Sequence, residues 1–191
     1  MLELNGPTTP NAANSGKDNE TQSGSEPAVA KPEKLKGGQI VIRDNQSGIS
    51  YENLFGRYLT DATNIVVTDP YVRLPYQLRN FMEFAKLISI IKTSDNEVNL
   101  HLVTNNNEDY IQESKDAFRS MTYSMESVGI NFSYEFNEII HDRSIVLNNG
   151  WKIILGRGLD IWQKTGGWFD MNEYLQEQRL CKGCEITFVG K

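Results

Sequence analysis

Cysteine and histidine are scarce in this chain of 191 residues, with two of each. Two cysteines cannot supply a disulfide framework. Cys181 and Cys184 form a lone C-x-x-C near the end. A structural zinc site would need two further ligands, and His101 and His141 are the only histidines. A redox pair would sit at a helix N-terminus in a βαβ unit. Neither pattern is met, so no metal, redox group or other cofactor is expected. Basic residues are also in deficit: 19 Lys and Arg stand against 25 Asp and Glu, for a formal net charge of −6. An acidic chain lacks the footprint of a general nucleic-acid binder, though a local basic patch stays compatible with it. No apolar run approaches the roughly 20 residues of a membrane span, and the first residues lack a signal-peptide pattern. The expected setting is cytoplasmic and at most peripheral to a membrane.

What is present divides in two. Residues 1–37 are rich in Asn, Ser, Gly, Pro, Thr, Lys and Glu and show no apolar periodicity. Such a segment cannot offset its ordering entropy by burial, and it reads as a disordered leader or linker. Residues 38–191 read as one domain. Gln39–Arg43 is a short strand. Ser50 caps a helix over Tyr51–Leu59. Asn64–Thr68 is a β-branched, buried strand. Pro75 opens a helix reaching about Thr93. Val98–Thr104 is a strand, and Asn107 or Glu108 opens a long helix to Val128, closed by Gly129. Ile130–Phe136 alternates as a strand, the stretch from His141 to Leu155 reads as two strands about a tight turn, and Glu185–Val189 is the last strand. Strands alternating with helices predict an α/β fold with a mixed, mostly parallel sheet covered by helices on both faces. No internal repeat is present.

The stretch His141-Asp142-Arg143-Ser144-Ile145-Val146-Leu147-Asn148, followed by Asn149-Gly150-Trp151 and Gly156-Arg157-Gly158-Leu159-Asp160, holds the densest signal. His141 and Arg143 lie two apart on the expected first strand and so share a face. This string resembles the signature of the phospholipase D superfamily: a His, a Lys two on, an Asp seven on, then an apolar strand ending in Gly-Ser. Here Arg143 stands at the Lys position, Asn148 at the Asp position and Arg157 at the Ser position. In that superfamily one His attacks phosphorus and a second protonates the leaving group. One motif per chain therefore implies an enzyme only if two chains pair their histidines, with His141 catalytic in each. His101 lacks the rest of the motif and reads as a strand histidine.

Together with Asp69-Pro70-Tyr71-Val72-Arg73 and Gln77-Leu78-Arg79-Asn80-Phe81, the same blocks more closely resemble the phospholipase D-like domain at the C-terminus of MIT-domain-containing proteins, over about Tyr51 to Val189. That resemblance implies a phospholipase D-like fold, homodimers, no demonstrated catalysis and binding of acidic phospholipids. It makes Asn148 and Arg157 shared family features. Residues 1–37 cannot form the MIT helical bundle, so docking to ESCRT-III tails does not carry over. Similar domains at the C-terminus of bacterial BREX-type Lon-related ATPase proteins would place the chain in a larger assembly.

The candidate ligand site is therefore His141, Arg143, Asn148, Arg157, Arg73 and Asp69, with Tyr71, Tyr76 and Gln77 as possible lining. The bland alternative is that Asp69 or Asp160 pairs structurally with an arginine. Trp162, Trp168, Phe169 and Tyr174 form an aromatic stretch, open to reading as a partner surface or as satellite core. Three functions compete: a non-catalytic, dimerising module for a phosphate-bearing ligand such as a phospholipid headgroup; a dimeric, metal-free phosphodiesterase or nuclease; and a protein-interaction domain of a phage-defence ATPase.

Overall fold

The computed structural model describes residues 35–93, 96–105, 108–164 and 170–190. The expected disorder of residues 1–37 thus falls almost wholly outside the described residues, as do Asn107 and the aromatic pair Trp168 and Phe169. The strands and α-helices of the described residues follow in order: β1 (Gly38–Ile42), α1 (Tyr51–Leu59), β2 (Asn64–Thr68), α2 (Pro75–Ile91), β3 (Val98–Thr104), α3 (Ile111–Glu126), β4 (Ile130–Phe136), β5 (Ser144–Leu147), β6 (Trp151–Leu155) and β7 (Cys184–Gly190). Their bounds follow local chemistry. The Ser50 side chain accepts from the Asn53 amide at the start of α1. Pro75 occupies the first turn of α2, where its missing N–H costs nothing. Gly129, at φ +74°, turns the chain from α3 into β4.

The strands form one sheet in the order β1-β7-β6-β5-β2-β3-β4. Only β2–β3 and β3–β4 pair parallel; β1–β7, β7–β6, β6–β5 and β5–β2 pair antiparallel. The sheet is mixed, as expected, but mostly antiparallel rather than mostly parallel. The helix-linked alternation that predicts parallel pairing extends only through β4. The later strands follow without crossover helices, and β5 inserts beside β2 in the opposite sense.

Helices on both faces are not found among the described residues. Burial alternates along the central strands: Ile65, Val67, Leu100, Leu102, Ile145, Ile153 and Ile186 are buried, while Asn99, Asn131, Val146, Lys152 and Ile154 on the other face are exposed. The buried face packs against the helical layer, where α1 meets α2, and α3 covers β4. Phe55, Phe81, Phe84 and Phe118 are fully buried there. Burial of each such ring stabilises by roughly 1.5–3 kcal/mol.

Candidate functional site

The carboxyl ends of β2 and β3 open at one pole of the sheet, where α/β folds place ligands. Asp69 leaves β2 at that pole and is only 4% exposed. Its Oδ1 accepts from the Tyr71 amide at 3.0 Å and its Oδ2 from the Leu159 amide at 3.4 Å. Gly158, at φ +65°, passes so close that a Cβ there would lie 1.9 Å from Asp69 Oδ2. The Leu159 carbonyl accepts from the buried Tyr51 hydroxyl at 2.5 Å. The Gly156–Asp160 turn is thus held at both backbone groups of Leu159, by residues from β2 and α1. Burial raises the Asp69 carboxyl above its ordinary value; the two amide bonds and the charge of Arg143 oppose that shift.

Arg143 donates from Nη1 to the Gly156 carbonyl at 2.8 Å, and its guanidinium lies 4.6 Å from the Tyr71 ring centre. Arg73 lies 5.5 Å from the same ring and 5.9 Å from that of Tyr110. Tyr71 therefore couples the two arginines through cation–π contacts. A cleft of about 290 Å³ opens here, walled by Asp69, Tyr71, Gln77, Arg143, Arg157 and Asp160. Among the described residues, no carboxylate forms an ion pair with Arg73, Arg143 or Arg157. Asp160 is held by Lys182, at 2.8 and 2.9 Å. The structural partner of that aspartate is thus a lysine rather than an arginine.

The candidate residues are only partly brought together. Arg143, Arg157 and Asp69 share the cleft, and Arg73 joins through Tyr71. His141 does not line it. His141–Arg143 precede β5 rather than lying on it, and of the two only Arg143 reaches the cleft. His141 instead lines a second hollow of about 300 Å³, with Lys152, Ser144 and Ile154, which meets the first at Arg143 and Gly156. Asn148 lies past the other end of β5, roughly 16 Å along the chain from Arg143 at about 3.3 Å per residue. Its Oδ1 accepts from the amides of Thr63 and Asn64, and its Nδ2 donates to Thr63 Oγ1. His101 lies on β3, with Nδ1 bonded to Ser133 Oγ at 2.8 Å. Tyr76 lines neither hollow; its ring centre lies 5.8 Å from Lys182 Nζ.

The residues that the motif reading missed are supports. Arg179, buried, makes two bonds to Glu83, at 2.8 and 2.7 Å, a bond to the Glu173 carbonyl, and a cation–π contact with Trp162 at 5.1 Å. Arg79 joins Glu173. This network pins residues 170–180 onto α2. Nothing in the local pattern around Arg179 marks it, because its partner Glu83 is 96 positions away. Of the aromatic stretch, Trp162 belongs to the core and Tyr174 is exposed. Cys181 is buried, Cys184 half-buried, and both thiols are free.

Comparison with known proteins bears on residues 48–190, which match the family model described as a phospholipase D-like domain at the C-terminus of MIT. The chain is 36% identical over 145 residues to MIT domain-containing protein 1 of Mus musculus, covering 75% of this chain and 57% of the mouse protein. The chain thus spans little more than half the length of that relative. Among solved structures, TrmBL2, an archaeal chromatin protein, aligns with a TM-score of 0.40 and 11% identity over 85% of this chain and 49% of its own. That likeness is too distant to carry an argument about fold or function. No helix among the described residues is long and apolar enough to cross a membrane. The 48–190 match and the 36% identity together place the chain in the family of phospholipase D-like domains found at the C-terminus of MIT proteins.

Proposed function

We propose that this domain is a non-catalytic binding module whose cleft takes a phosphate-bearing ligand, with a phospholipid headgroup as the favoured class. The observation that carries the reading is Arg143. It is fixed by the Gly156 carbonyl and the Tyr71 ring, forms no ion pair among the described residues, and stands beside Arg157 in a cleft of an otherwise acidic chain. An immobilised guanidinium is suited to a phosphate, which it meets in a planar, two-bond geometry. Catalysis is disfavoured because phosphohistidine chemistry needs an acid as well as a nucleophile. His141 lies outside the cleft, and the other histidine, His101 on β3, is engaged with Ser133 on β4.

The test pairs two assays. Cosedimentation with phosphatidylcholine vesicles, with and without an anionic phospholipid, should show binding only to the anionic set, weakened about tenfold or more in Arg143→Ala. Hydrolysis of bis(p-nitrophenyl) phosphate in EDTA should be absent. Turnover that persists in EDTA and disappears in His141→Ala would establish the dimeric phosphodiesterase instead.

A second reading, dimerisation, is favoured by β1. This edge strand exposes apolar side chains on both faces, Ile40 at 38% and Val41 at 59%, beside Val189 at 45% on β7. Among the described residues no strand pairs with the outer side of β1, and exposed apolar edges of this kind recruit another strand. A second copy pairing there would make Val41→Lys monomeric in sedimentation equilibrium. A wild type that is already monomeric at high concentration would end that reading.

A further inference from the structure

The two hollows at the cleft pole share one wall. Arg143 and Gly156 line both, and the hydrogen bond between them forms the partition. On one side stands Arg157. On the other stand His141 and Lys152, above a floor made by Ser144 and Ile154, which are paired across β5 and β6. Neither Lys152 nor Arg157 forms an ion pair among the described residues. Lys182, by contrast, is neutralised by Asp160. The acid lining the second hollow is Asp142, which is exposed. A single phosphate on Arg143 and Arg157 would leave the second set of donors unused.

We infer that the ligand carries two phosphate groups that straddle Arg143. One is held by Arg143 and Arg157, and the other by Lys152 and His141. This deepens the phosphate reading above and rests on it. The shared chemistry is a bisphosphate on a compact polyol, either free in solution or as a lipid headgroup. A bridging ligand gains because its second phosphate binds at the high local concentration that the first imposes.

The two sites separate in a titration. Wild type should bind soluble inositol bisphosphate about tenfold or more tighter than inositol monophosphate by calorimetry. Lys152→Ala with His141→Ala should bring the bisphosphate down to the monophosphate level and leave the monophosphate unchanged. Both side chains are exposed, so the fold should hold, and an unchanged melting temperature would verify it. Arg143→Ala should weaken both ligands. Equal binding of the two by wild type, or a double variant that keeps the preference, would overturn the two-phosphate inference while the cleft reading stands. If neither ligand binds, both readings fall. Vesicles bearing a phosphatidylinositol bisphosphate provide the last arm. Release by free inositol bisphosphate supports these hollows as the headgroup site; vesicle binding that the free compound does not displace counts against them.

Discussion

Asp69 Oδ2 stands where a side chain at position 158 would begin: a Cβ on Gly158 would lie 1.9 Å from it. Glycine at 158 is therefore what lets the turn descend onto a buried carboxylate and present the Leu159 amide to it. The turn also carries Arg157 and Asp160, so this one contact sets the far wall of the cleft.

Gly158→Ala should destabilise the domain by about 2–4 kcal/mol, through a left-handed backbone forced on alanine and a clash against Asp69. Urea denaturation measures it. A loss below about 0.5 kcal/mol would mean that the turn is free to move away from β2.

Asp69 gives a pH signature opposite in sign to that of a salt-bridged carboxylate. Burial raises its folded value above the ordinary 3.8. In the interval between the two values the folded state binds more protons than the unfolded one, so stability falls as pH rises from 3.8 through the folded value and levels off above it. The stability difference between wild type and Asp69→Asn should follow that course across acidic pH. A difference that grows with pH would show that the Arg143 charge and the amide bonds outweigh burial.

Arg179→Met should cost about 3 kcal/mol or more, because it leaves Glu83 facing a buried site without its two-bond partner. Arg179→Lys should recover little, since an ammonium cannot reproduce the planar fork. Guanidinium denaturation of the three proteins gives the comparison. Full recovery by lysine would reduce the network to simple charge.

Cys181 should be chemically quiet. Burial pushes its thiol up to about 11, and burial raises Cys184 as well. Since the thiolate is the nucleophile, alkylation at neutral pH should wait on unfolding for Cys181 and be slow for Cys184. Rapid labelling of both in the native protein would contradict the burial of Cys181 and the half-burial of Cys184.

Asn148→Asp, which restores the superfamily residue, should confer no hydrolysis. The Asn148 carbonyl accepts from two backbone amides at the pole away from the cleft, and an aspartate would do the same there. Melting temperature and phosphodiester turnover are the readouts, and turnover gained by this single change would be the contrary result.

Most elements were legible in sequence because their signals are local: the Ser50 cap, Pro75 opening α2, Gly129 after α3, and the alternation along β4. The order of the strands was not, because the pairing of β5 with β2 joins segments about 80 positions apart and leaves no mark in either. The same division holds at the site. Asp69, Arg143 and Arg157 could be proposed from the motif blocks. Setting His141 in a second hollow, which it shares with Arg143 but not with Asp69 or Arg157, required the tertiary structure, and separating Asn148 required knowing that a motif spaced along a strand spans its length. The hydrogen-bond partners Leu159, Glu83 and Asp160 that place Tyr51, Arg179 and Lys182 lie 108, 96 and 22 positions away, so no local spacing rule marks them.

The antiparallel pairing of β1 with β7 also has a consequence for wiring. Gly38 sits opposite Phe188, so the described domain starts and finishes side by side. Both lie at the pole where Trp151 faces Gly190, while Arg157 and Gly156 meet the opposite end of β7. Polypeptide joined at either end is therefore attached at one spot, with the cleft pointing away from it. The domain can be hung from a neighbour, or inserted between two, with its cleft pole left outermost.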